Sequence, residues 1–303
     1  MAERRVAVLD AGTTAVKALV FDDQLHVLHT ESDYIDKSTP QPGWVEQDPA
    51  QIAEVSLRLL REAFAAYPQI ESIGITNQRE TFLLWDADGS ALYPAIVWED
   101  KRTEAEVEAL RADSAVADYI RQTTGIAVSP YSSAPKLAWL LRHLKLDGGE
   151  GFGTVDSWLL KTLCGVHATD YTNASRTLLF NVHSLNWDER LLEIFSVPRS
   201  ILPEVSPSRH DFGVSKEFGV PVRAVAGDQQ ASLYAAGERP GIVKITYGTG
   251  IFPMRLLGSR FELRDPYMTT LAVSEAGKLQ YALEGKIEGS AAVVSPVYDA
   301  GED

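Results

Sequence analysis

Two short Gly/Thr turns, far apart in the chain, suggest what chemistry it can attempt. Asp10, Ala11, Gly12, Thr13 and Thr14 follow an apolar run at 6–9, and Tyr247, Gly248, Thr249 and Gly250 follow another at 242–245. Further apolar runs at 18–21 and 251–254 come next, so each segment reads as strand, tight turn, strand. Glycine lets the backbone approach an anion closely, successive N–H groups form a concave donor array, and threonine hydroxyls add uncharged donors. Two such tips facing each other would clasp a polyphosphate. A single Gly/Thr turn is an ordinary hairpin. The acid just before the first turn, and the placement of the second beside another acid-bearing segment, turn the reading towards nucleotide chemistry.

Three polar clusters add to this. Asn77, Gln78, Arg79 and Glu80 follow an apolar strand at 72–76, and strand ends are where open sheets present ligand-binding groups. Arg79 and Glu80 together offer a fork of donors and a pair of acceptors, which suits a small polyol; taken alone they read equally as a surface ion pair. Gly227, Asp228 and Gln229 stand between a strand at 222–226 and a helix at 231–236. An aspartate there can accept the proton of a hydroxyl that attacks phosphorus, with the neighbouring amide orienting that hydroxyl. It also reads as a plain helix N-cap. Tyr131, beside Pro130, lies in a loop suited to closing over a ligand.

The elements that must position these groups alternate as in an α/β protein. Residues 5–36 supply three strand-like segments, the second and third joined by a turn at Asp22 and Asp23 and the third covering 24–30. Asp48 caps a helix that Pro49 opens, with Ile52, Val55, Leu59 and Leu60 on its apolar face. Strands at 72–76, 82–85 and 95–98 follow, the last two joined through a turn at Asp88 and Gly89. Thr103 and Glu106 read as a capping box. Helices are expected at 134–145, 154–164 and 188–195, and an irregular connection at 198–219.

With 303 residues and 45% apolar content, the chain has room for one large or two ordinary domains. It lacks an apolar stretch of the roughly 18 residues that a membrane helix needs, and its charged start leads straight into a strand, so a cytoplasmic protein with no membrane partner is expected. The single cysteine, Cys164, excludes an internal disulfide and fits a reducing compartment. A net charge of −14 argues against a nucleic-acid partner, so any anion must be met locally. The six histidines show no metal-ligand spacing, and a divalent metal here would be magnesium held by oxygen ligands.

Together these stretches resemble the FGGY family of sugar and polyol kinases, in particular its glycerol-phosphorylating branch. The likeness is carried by residues 10–14, the string Pro40, Gln41, Pro42, Gly43, Trp44, Val45, Glu46, residues 74–81, 95–98, the segment TDYTNASRTLLF at 169–180, and residues 226–230 and 246–250. It implies an actin-like, ribonuclease H-like ATPase fold, with an N-terminal polyol- and phosphate-binding domain over 1–236 and the start of a nucleotide-binding domain over 237–303. By the same resemblance Arg79, Glu80, Trp98, Tyr131, Asp228, Gln229 and Phe252 would bind glycerol, with Asp228 as general base. Thr13, Thr14, Lys17 and Thr249 would meet the phosphates of ATP, and Asp10 would stand near Mg2+. The reaction implied is transfer of the γ-phosphoryl group to a terminal hydroxyl, with domain closure excluding water.

The sequence departs from the family pattern at several points. Ala11 and Ala15 replace polar residues, and Lys17 stands where arginine is usual, keeping charge but losing the planar fork. No glycine-rich loop precedes Val222, so inhibition by fructose 1,6-bisphosphate is not expected. Residues 293–303 do not resemble the family helix, and the second domain is expected to be truncated. A truncated domain leaves apolar strands at 243–246, 252–257 and 271–273 to expose sheet edges or to pack on the first domain. Two readings follow: a kinase that is complete only as a homo-oligomer or with a complementing C-terminal half, or a noncatalytic polyol-binding remnant.

Overall fold

The computed structural model describes residues 4–247, 250–275 and 277–288. The chain opens with β1 (Arg5–Ala11), β2 (Ala15–Phe21) and β3 (Val27–Tyr34), an antiparallel meander. The third strand begins later than the sequence suggests. Asp22 accepts from the amides of Gln24 and His26, and Leu25 takes φ 65°, so residues 22–26 are consumed by the turn. After β4 (Glu46–Gln47) comes α1 (Pro49–Ala66), capped by Asp48 accepting from Ala50 N as its sequence requires. Its apolar stripe of Ile52, Val55, Leu59, Leu60 and Ala63 packs on the sheet with Leu9, Val20 and Ile73.

Next follow β5 (Ile70–Asn77), β6 (Phe82–Trp85), β7 (Ala95–Ile96), α2 (Glu104–Ala112), α3 (Ser114–Thr124) and α4 (Ser133–His143). The expected capping box at α2 does not form. Thr103 has a ψ of 21° rather than an extended backbone, and its buried Oγ1 has no partner. The chain continues through β8 (Gly151–Thr154), α5 (Val155–Cys164), β9 (Ala168–Asp170) and α6 (Tyr171–Ala174), then β10 (Phe180–Asn181), β11 (Asn186–Trp187) and α7 (Glu189–Phe195). The stretch expected to be irregular contains a single turn of 3-10 helix (Arg199–Ile201) and β12 (Glu204–Ser206), which pairs with β9. Cys164 is half-buried, and burial pushes its thiol up to about 11.

Strand β13 (Val222–Gly227) completes the first sheet in the order β13-β5-β1-β2-β3, with the first three mutually parallel in neighbouring pairs. Strands β1, β5 and β13 therefore end on one side, which brings Asp10, Arg79 and Asp228 together. Helix α8 (Asp228–Ala236) leads to β14 (Val243–Tyr247), β15 (Gly250–Gly258), β16 (Met268–Leu271), β17 (Tyr281–Glu284) and β18 (Ile287–Glu288), a second sheet ordered β14-β15-β17-β16 with β18 also on β15. Of the two outcomes expected for these late strands, both occur. Met254, Leu256 and Ala282 pack on Leu233 of α8, and Leu271 and Tyr281 join the cluster of Phe180 and Trp187. The other face of β14 leaves Val243, Ile245 and Tyr247 exposed. Among the described residues no helix is long and apolar enough to cross a membrane. The stretch 293–303 lies outside the described residues.

Leu60 is fully buried between α1 and the sheet. Its truncation in Leu60→Ala is expected to lower the unfolding free energy by about 3 kcal/mol, from lost transfer energy plus a cavity, as measured by urea denaturation.

Candidate active site

One open cavity of about 470 Å³ lies at the ends of β1, β5 and β13. Asp10, Thr13, Thr14, Lys17, Arg79, Glu80, Trp98, Tyr131, Asp228, Gln229 and Phe252 all line it. Every residue expected at the site is thus gathered there except Thr249, which lies outside the described residues together with Gly248. Such convergence on one cavity is what separates a site from a set of unrelated turns.

The first Gly/Thr tip differs from a free donor array. The amide of Gly12 donates to Ala15 O at 3.0 Å, closing the turn instead of pointing outward. A Cβ on Gly12 would meet that same oxygen at 3.0 Å, which explains the glycine. The tip is pinned from outside: Gln47 donates to Thr13 O (2.7 Å), Gln78 to Gly12 O (3.3 Å), and the Trp98 indole to Thr13 Oγ1 (2.8 Å). Thr13 keeps its hydroxyl hydrogen free to donate, and Thr14 is exposed.

Arg79 and Glu80 are not a surface ion pair. They are 3% and 1% exposed, and each is paired elsewhere. Both Nη atoms of Arg79 donate to Glu284 at 2.7 Å, while Glu80 accepts from Arg176 Nε at 2.5 Å. Arg176 also reaches Glu284 at 3.4 Å, giving a buried chain of four alternating charges. Glu284 is held well below the usual carboxylate range, at about 2: burial opposes ionisation, and Arg176 and Arg79 overcome it. The fork that the sequence offers to a polyol is therefore largely committed, and the edge of Arg79 left towards the cavity is Nε, 3.4 Å from Asp228 Oδ1. Glu80 sits at φ 62°, a strained position for a non-glycine residue; its carbonyl accepts from Ser133 Oγ at 2.8 Å.

Asp228 is the first residue of α8, and Gly227 takes the capping position, so the plain N-cap reading fails. A Cβ on Gly227 would fall 2.8 Å from Arg79 Cγ and Cδ, so only glycine lets the strand pass the arginine. Burial raises the Asp228 carboxyl, Arg79 and the Gln229 amide lower it, and the net direction is up. Asp10 is likewise raised by burial, opposed by Lys17 opposite it on β2 and reinforced by Asp228. Gln229 is less free than expected, since its Oε1 accepts from Lys244 Nζ at 2.5 Å.

Trp98 and Tyr131 meet edge to face, with ring centroids 5.3 Å apart, and form the aromatic wall. Phe252 contributes from β15. Sequence reasoning missed Arg176, Glu284 and Lys244 as supports of the site. The available signal was a charged residue inside an otherwise small or apolar segment, as in Ser175, Arg176, Thr177 and Leu283, Glu284, Gly285.

Removing one partner from this buried network strands the opposite charges. Glu284→Gln is expected to destabilise the fold by about 3–5 kcal/mol. Because the folded carboxyl is depressed, its contribution is complete above the ordinary carboxylate range and is lost as pH falls towards about 2. Urea titrations at pH 7, 5, 4 and 3 should therefore give a shallower acid loss in the variant than in the wild type.

The profile of the FGGY family of carbohydrate kinases, N-terminal domain, matches residues 6–235. "Glycerol kinase 2" of Thermotoga maritima is 42% identical over 310 residues, covering 96% of this chain and 62% of the relative. A glycerol kinase of Alcanivorax borkumensis is 45% identical over 309 residues, covering 96% and 62%. Among solved structures, Plasmodium falciparum glycerol kinase with ADP superposes with a TM-score of 0.91 at 32% identity, covering 98% of this chain and 64% of that one. The chain thus spans a little over three fifths of the length of the relatives it matches. With its strand-end cavity on an actin-like ATPase sheet and this match over most of its length, the chain belongs to the FGGY family of carbohydrate kinases.

Proposed function

We propose that this chain carries the polyol site and the first phosphate tip of a kinase that phosphorylates glycerol, or a similar small polyol, at a terminal hydroxyl. The observation that carries the reading is the shared cavity: Arg79, Glu80, Trp98, Tyr131, Asp228, Gln229 and Phe252 line the same space as Thr13 and Thr14. An aromatic wall backs a short carbon skeleton, and carboxylate and guanidinium edges meet its hydroxyls. Relatives named glycerol kinase at 42–45% identity support glycerol as the polyol.

In the proposed reaction the terminal hydroxyl attacks the γ-phosphorus of ATP. The new O–P bond forms as the bond to the bridging oxygen breaks, ADP leaves, and the hydroxyl proton passes to Asp228. Arg79 Nε, beside Asp228, favours the ionised carboxylate and offsets part of the burial that raises it. Thr13 donates to a phosphate oxygen while its own position is held by Trp98, Gln47 and the main chain. Asp228 is close enough to raise the Asp10 carboxyl, and the two would supply carboxylate oxygens to a magnesium ion whose other ligands are water and phosphate. Bound there, the ion would neutralise phosphate charge.

Calorimetric titration with glycerol and with magnesium ATP, followed by a coupled ADP-release assay, tests the reading. Glycerol-dependent ADP release would establish a working kinase, and Asp228→Asn is then expected to lower it by about 10²–10⁴-fold. Glycerol binding without release would leave a noncatalytic polyol-binding chain. Absence of glycerol binding would overturn the proposal.

A further inference from the structure

Lys136 has no role in the chemistry above, yet it is a fully buried cation directly behind the polyol wall. It lies in the first turns of α4, and its Nζ has three acceptors: Val97 O at 3.2 Å, Trp98 O at 3.3 Å and Tyr131 O at 3.2 Å. An ammonium group has three donors, so its hydrogen-bonding capacity is filled by three main-chain carbonyls from two separate loops. One loop leaves β7 and carries Trp98; the other enters α4 and carries Tyr131.

The lysine answers a local need. Tyr131 stands just before Ser132, the N-cap of α4, so its carbonyl lies outside the helical ladder and needs a donor from elsewhere. Val97 O also accepts from Asp100 N at 3.0 Å, so Lys136 is a second donor there, whereas Trp98 O lies past the end of β7. A methionine of similar length would fill the space without desolvating a charge, but it would take the ammonium donor from the part-buried Trp98 O and Tyr131 O, while Val97 O would keep its bond from Asp100 N. The grip continues beyond the wall. Trp98 N donates to Thr81 Oγ1 at 3.1 Å, and Trp98 Nε1 donates to Thr13 Oγ1 at 2.8 Å.

We propose that Lys136 is a positioning residue: its ammonium clamps the Trp98 and Tyr131 loops together, fixing the aromatic wall and, through the Trp98 indole, the Thr13 tip. The expected consequence for glycerol affinity rests on the function proposed above, whereas the clamp itself does not. Burial drives the Lys136 amine down to about 7, against the pull of Asp100 and Glu80 and with the push of Arg102 and Lys286. The three carbonyl acceptors favour the three-donor ammonium form against that burial.

The test compares the wild type with Lys136→Met and, as a milder variant that keeps one donor group, Lys136→Gln. The ligand-free readouts are the Trp98 indole N–H signal, assigned with Trp98→Phe, and amide hydrogen exchange. In Lys136→Met the Trp98 signal should move or broaden while the other five indole signals stay in place. Amides at 98–101 and 129–132 should exchange at least tenfold faster, with β1 and β5 unchanged, and Lys136→Gln should fall between. Glycerol Kd, measured in parallel, should rise tenfold or more. An unmoved Trp98 signal with unchanged loop exchange, or a uniform acceleration across the chain, would overturn the clamp. If the wild type takes no glycerol, the functional reading fails while the indole and exchange readouts still decide the role of Lys136.

Discussion

The buried alternation of Glu80, Arg176, Glu284 and Arg79 is the constraint on which the site depends. Four charges without bulk water around them are tolerable only if each has its partner in place, and the partners come from β17, from the turn after α6 and from the end of β5. Correct packing of the second sheet against the first unit is therefore a condition for Arg79 to point where it does. The network also explains why the Arg79 fork is not simply offered to a ligand: its ends are used for structure, and its Nε edge is left beside Asp228.

Around this network the polar tip and the aromatic wall are held by side chains rather than by ladder pairing. Gln78 donates to Gln47 and Gly12, Thr81 links Gln78 to the Trp98 amide, and Trp98 bonds Thr13. A second buried group, Arg102 with Glu46 and Asp100, stacks on Trp44 at 3.9 Å from the ring centre and anchors the loop that follows Trp98. Each contact joins segments distant in sequence. The cavity is accordingly a property of the assembled sheet ends, in line with the rule that open α/β sheets bind ligands beyond the carboxyl ends of their strands.

Family membership and the structural match fix the fold as that of the FGGY kinases. Strand β14 leaves Val243, Ile245 and Tyr247 exposed on one face.

The sequence alone was enough to read what depends on neighbours along the chain. The Asp48–Pro49 start of α1, the apolar stripe of that helix, the first Gly/Thr hairpin as a strand–turn–strand unit, the two strands that flank the second and the strand-to-helix passage at Asp228 are all local in origin, set by caps, periodicity and glycine. The family motifs further marked many of the residues that line the cavity, though not Ser32, Asp33 and Tyr34 of β3. Only tertiary structure decided which polar groups are free to act. Gly12's amide looks available in the sequence but closes its own turn, Arg79 looks like a free fork but is held by Glu284, and Thr103 looks like a cap but does not cap. The reason is physical: hydrogen-bonding capacity is spent between segments far apart in the chain, and burial makes each such commitment costly to break.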